Sequence, residues 1–148
     1  MDPNAAPVRP VLEEIRAAHR AEKTNVALLQ LLARAAVSCK RWDEAIEIGR
    51  RLREEYDVLY YEDPASDQTD RELRAVTDAV ELPVIAGEKE YTRWQFRDLI
   101  VEGNPDVINP DILKVGGMTE MRRIAVLAQA YQKLIIPHNT RPTLGTAA

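Results

Sequence analysis

Glu62, Glu88, Asp111 and His138 close four short apolar runs, at intervals of 26, 23 and 27 residues. The runs are Val58-Leu59-Tyr60-Tyr61-Glu62, Pro83-Val84-Ile85-Ala86-Gly87-Glu88, Val107-Ile108-Asn109-Pro110-Asp111 and Leu134-Ile135-Ile136-Pro137-His138. Two glutamates, an aspartate and a histidine form a set able to bind charge and move protons. An interval of that size accommodates one strand, one loop and one helix. Repeated βα units would therefore bring all four side chains to one rim of a parallel sheet, where the active sites of α/β barrels lie.

The elements that would position this set follow from the periodicity. Strands are expected over 58–62, 83–88, about 106–109 and about 133–137. Between them, helical spacing places Leu73, Val76 and Val80 on a helix at about 67–80. Trp94, Leu99 and Ile100 mark a second at 92–102; Met121, Ile124, Leu127 and Ala128 mark a third at 118–131. Gly116-Gly117 breaks the chain before that third helix. Strands alternating with helices of this length indicate parallel βα units. Apolar strand interiors are expected when both faces of the sheet are covered. The tail 139–148 has too few apolar residues for another strand.

The first third of the chain reads differently. Residues 1–10 hold three prolines, and 11–56 carry helical stripes with no strand signal. Val11, Ile15 and Ala18 make one stripe, and Val26, Leu29, Ala33 and Ala36 another. A further helix starts near Asp43, the expected N-cap, and runs to about Glu55. Trp42, Trp94 and Cys39 are expected to pack. At 148 residues the chain can bury one core but is short for an eight-unit barrel, which takes about 250 residues. Its net charge is −4, with +1 on residues 1–56 and −5 on 57–148. That balance lacks the basic cluster of a nucleic-acid footprint. One cysteine excludes an intrachain disulfide. Neither a secretory signal nor an unbroken apolar span is present, so a cytoplasmic protein without membrane contact is expected.

Four segments resemble the enolase superfamily, and within it the mandelate racemase and acid-sugar dehydratase branch. They are Tyr61-Glu62-Asp63-Pro64, Ala86-Gly87-Glu88, Asn109 through Glu120 (Asn-Pro-Asp-Ile-Leu-Lys-Val-Gly-Gly-Met-Thr-Glu) and Ile136-Pro137-His138-Asn139. The resemblance begins at Arg41-Trp42-Asp43, similar to the helix after the family's third barrel strand, and covers 41–148. It implies an α/β fold, a partial (β/α) barrel of about four parallel units, preceded by a helical segment over 1–40 that does not resemble the family. It also implies a Mg²⁺-dependent dehydratase or racemase of sugar acids, with an enediolate formed by removing the proton α to a carboxylate. Glu62 and Glu88 match metal ligands, His138 the general base, and Asp111 the partner that orients it. Lys114 and Asn139 lie near the same rim and could touch substrate or simply be solvated; Arg141 could pair a substrate carboxylate or belong to a loose tail. The residue types agree with these roles. Mg²⁺ prefers carboxylate oxygens, and histidine beside a carboxylate with its tautomer fixed suits proton transfer. Dehydration is favoured over racemisation, since one histidine can serve as base and then acid.

The resemblance also marks what is missing. The family's first metal carboxylate belongs to an Asp-x-Asn pattern shortly before the Trp-Asp of residues 42–43. Here that stretch is Ala35-Ala36-Val37-Ser38-Cys39-Lys40, and no acid occurs between Lys23 and Trp42. A second-strand lysine pair, the capping domain and an eighth strand have no counterpart. Whether the chain is an enzyme is thus open. The competing expectation is a catalytically inactive truncated barrel, or a self-associating interaction module, with exposed edges available for homo-oligomer formation.

Overall fold

The computed structural model describes residue 36 and residues 41–56, 58–65, 70–139 and 144–147. The helices expected over 11–40, Cys39 and Arg141 lie outside the described residues, except for buried Ala36. Four parallel strands form one sheet in chain order: β1 (Tyr61–Glu62), β2 (Val84–Ala86), β3 (Val107–Ile108) and β4 (Leu134–Ile135). Tyr61 stands opposite Val84, Ile85 opposite Val107, and Val107 opposite Leu134. Single rungs extend past the strands. Asp63 donates its amide to the Ile85 carbonyl at 2.9 Å, Asn109 to Ala86 at 3.1 Å, and His138 to Pro110 at 3.0 Å. Asp111 and His138 form a last isolated parallel bridge.

The helices are α1 (Trp42–Glu55), α2 (Asp70–Ala79), α3 (Arg93–Asp98), α4 (Met118–Ala130) and α5 (Leu144–Ala147). Each of the four expected helix–strand alternations is present, with strands shorter than the apolar runs that announce them. Four details differ. Asp43 lies inside the first turn of α1, whose N-cap is Arg41 with no side-chain cap; there its carboxylate faces the positive end of the helix dipole. The helix expected over 92–102 changes at Leu99 into a π-helical turn, Leu99–Gly103, closed by left-handed Asn104. Trp94 is 59% exposed and does not pack into the core. The tail carries the short α5, which the composition of 139–148 did not announce.

Tyr61, Val84, Ala86 and Ile108 join the helix residues Ile48, Leu73, Phe96 and Ile124 in one core, so the helices cover one face of the sheet. Ile85 and Val107 are buried but belong to the opposite, inner face, as strand alternation requires. The same parity puts Tyr60, Leu134 and Ile136 on the inner face, where they are 47%, 68% and 50% exposed. No described helix is long and apolar enough to cross a membrane.

Candidate active site

Each of the four sequence-predicted residues ends a strand or lies just beyond it, on one rim. Glu62 closes β1 and accepts a hydrogen bond from Asn109 Nδ2 at 3.0 Å. Asn109 shares the inner-face parity of Val107, which brings it across to β1. It is 2% exposed, and its Oδ1 is buried with no hydrogen-bond partner.

Glu88 follows Gly87, whose φ of +125° suits glycine. A Cβ there would lie 2.8 Å from Phe96 Cε1. The turn at Gly87 breaks the strand alternation and returns Glu88 to the inner side of the rim. Its Oε2 lies 2.9 Å from His138 Nε2. Lys114 Nζ donates to the Glu88 carbonyl oxygen at 2.7 Å. Beside it, Lys89 pairs with Asp63 at 2.7 Å.

His138 Nδ1 lies 3.2 Å from Asp111 Oδ2, and the backbone bridge between the two residues fixes their separation. The other carboxylate oxygen, Oδ1, accepts the Leu113 amide at 2.8 Å. Asp111 is 2% exposed. Burial pushes its pKa up, but the Leu113 amide, the His138 ring and Lys114 outweigh burial and hold it below the usual carboxylate value. An ionised acceptor on Nδ1 holds a hydrogen on that nitrogen. The Glu88 oxygen at Nε2 is a hydrogen-bond partner only while Nε2 carries one too, so Nε2 becomes a base when Glu88 moves off it. The His138 side chain is 15% exposed, so it is sheltered yet open to the rim.

The structure thus gathers Glu88, Asp111 and His138 in direct contact and sets Glu62 on the same rim through Asn109. Lys114 reaches Glu88 through the backbone carbonyl. Asn139, exposed, donates to Thr146 Oγ1 at 2.7 Å, tying the end of the rim to α5. Asn109 escaped the sequence reading. Its signal was available: an amide two residues before Asp111, on the same side of a strand whose end carries an acid.

Among the described residues no three His, Cys, Asp or Glu side chains group as metal ligands. Glu62, Glu88 and the orphaned Asn109 Oδ1 are hard oxygen donors on one rim. That set suits Mg²⁺, which is commonly held by one or two carboxylates and keeps several waters.

Comparison with known proteins gives this geometry a context. A sequence model for the enolase C-terminal domain-like family matches residues 2–148. The chain belongs to that family. The matched span includes residues 2–40, beyond the segments that carry the resemblance. Among curated relatives, the D-xylonate dehydratase of Haloferax volcanii is 37% identical over 95 residues, covering 64% of this chain and 23% of the relative. The arabinonate dehydratase of Saccharolobus solfataricus is 33% identical over 98 residues, covering 66% and 26%. This enolase-superfamily chain therefore spans about a quarter of the length of the curated relatives it matches. A mandelate racemase/muconate lactonizing protein from Paracoccus denitrificans superposes with a TM-score of 0.68 at 27% identity, over 96% of this chain and 46% of that one. A racemase from Streptomyces coelicolor with bound magnesium gives 0.63 at 25% identity, over 67% and 29%. The fold is accordingly a partial α/β barrel of the enolase superfamily, and the relatives of the chain are sugar-acid dehydratases and racemases.

Proposed function

We propose that this chain carries the proton-transfer half of a Mg²⁺-dependent sugar-acid dehydratase, with His138 as base. The observation that supports it is the His138 ring, held between Asp111 on Nδ1 and Glu88 on Nε2 at the strand-end rim. Asp111 orients the ring and keeps Nδ1 protonated. Nε2 takes the proton α to the substrate carboxylate, once the Glu88 carboxylate turns away from it. The same Nε2–H then protonates the hydroxyl on the neighbouring carbon, which leaves as water. One residue on one face serves both steps, which favours dehydration over racemisation. Glu62 and Glu88 would hold Mg²⁺, and Asn109 Oδ1 offers a further oxygen. When bound, the ion supplies positive charge that offsets charge developing on the substrate carboxylate. Lys114, through the Glu88 carbonyl, positions Glu88 and faces Asp111 with positive charge.

The test is exchange of the α-proton of a panel of sugar acids in heavy water, followed by NMR. Exchange is expected with Mg²⁺ and should fall about 10²–10⁴-fold in His138→Asn. It should also be lost, together with Mg²⁺ affinity, in Glu88→Gln. Absence of exchange across the panel, with Mg²⁺ affinity unchanged by Glu88→Gln, would overturn the reading.

A second reading rests on the inner face. Leu134 and Ile136 leave apolar surface uncovered by described residues on β4. Such surface on a strand favours self-association, and a non-catalytic, self-associating fragment is the reading it supports.

A further inference from the structure

A concavity lies on the outer, helical layer. It sits between α3 and α4 and has a volume of about 320 Å³. Trp94, Val126, Leu127 and Ala130 make its apolar lining, and Arg93, Arg97 and Arg123 complete it. None of these residues contributes to the candidate active site. Trp94 and Val126 are 59% and 60% exposed, so a large ring and a branched side chain stand side by side in water. The Arg93 guanidinium lies 5.0 Å from the Trp94 ring centroid, a cation–π pair that fixes the charge at the edge of the apolar floor.

The charge of this cleft runs against that of the chain. Three guanidiniums share two carboxylates. Glu120 takes both Arg93, at 3.5 Å, and Arg123. Arg97 pairs with the adjacent Asp98. The local balance is therefore positive in a protein of net −4. Exposed ion pairs of this kind contribute little, so an incoming anion can compete for the guanidiniums at small cost. An apolar floor with a few convergent charged groups, in this volume range, has the make-up of a small-ligand site. Guanidinium groups pair well with carboxylates, especially in two-point contacts.

We propose that the α3–α4 cleft binds a small amphiphilic carboxylate, its aromatic or alkyl body on Trp94 and Val126 and its acid between the arginines. The probe is 4-phenylbutyrate, with 4-phenylbutanamide as its neutral counterpart, titrated into the full chain and followed by ¹H–¹⁵N NMR. The Trp94 indole and arginine Nε–H signals should shift saturably with the acid. The amide should bind at least about tenfold more weakly, since it lacks the charge-assisted pairing. Trp42→Phe assigns the remaining indole signal to Trp94 and should bind unchanged. Arg93→Gln with Arg123→Gln should weaken the acid by about tenfold or more, and Trp94→Ala should weaken acid and amide alike. Trp94 and Arg123 are exposed and Arg93 partly so, and an unchanged thermal midpoint for each variant confirms the fold. Equal affinity for acid and amide would overturn the proposal. So would shifts centred on the inner-face residues Leu134 and Ile136, or no saturable shift at millimolar probe.

Discussion

Asp111 is the residue on which the candidate dyad depends, because it is almost fully buried and both its oxygens are engaged. Its folded pKa is depressed, so its ionised form stabilises the native state at any pH above its ordinary value of about 3.9. That contribution is lost as pH falls below this value and through the folded one. Removing the charge in Asp111→Asn should cost about 1.5–3 kcal/mol near neutral pH, the range for a hydrogen bond to a charged group. The variant should also lose less further stability on acidification than the parent. Denaturant titrations at pH 7 and at successive acidic values measure both effects. Equal acid sensitivity of parent and variant would show that other carboxylates set the acid limit. The four candidate positions could be singled out because strand ends with acids or a base recur at a βα interval. Asn109 was not, because an amide carries no charge signal and its role depends on which strand lies beside it. Trp94 misled for a related reason. Helical spacing says which residues share a stripe, but not whether a neighbour covers that stripe.

At the scale of elements, the order of strands and helices could be read from periodicity, and their ends could not. Strands are two or three residues long where the apolar runs suggest four to six. The chain turns at the rim directly after the paired residues, at Gly87 within its run and at Asp63 just past its own, where φ is +49°. The π-helical turn at Leu99–Gly103 leaves no periodic mark, because Leu99 and Ile100 are buried in either helix type. Gly87 couples local backbone to the site. A side chain there meets Phe96 Cε1 at 2.8 Å and a φ that disfavours it. Gly87→Ala should therefore destabilise the chain by about 1–3 kcal/mol, seen as a lowered thermal midpoint. It should also displace Glu88, seen as altered His138 ring signals in NMR. A stability loss without change at His138 would separate packing from positioning.

At the scale of the molecule, four parallel units present a helical side that is packed and an inner side that is partly uncovered. β4 is the least buried strand, with Leu134 at 68% exposure. Concentration-dependent self-association is the expected behaviour, measured by sedimentation velocity. Leu134→Lys should shift the distribution towards monomer without unfolding, because a charge on an exposed strand opposes pairing with another chain. An unchanged distribution would place the contact elsewhere. The sequence made such an edge foreseeable through its count of βα units; which face stays bare emerged from the parity of Tyr60, Leu134 and Ile136.

Because spatial order in the sheet equals chain order, every strand docks on the one synthesised just before it. Each parallel pairing still spans a whole βα crossover, which is slow to close, but none needs a strand made later, so assembly can proceed stepwise. Glu62 and Asn109 can then meet before β4 exists, and His138 arrives last, on the strand with the least to hold it. Opening of β4 alone would remove the histidine while leaving the Glu62–Asn109 pair in place, so the lifetime of the assembled rim is set by its final strand.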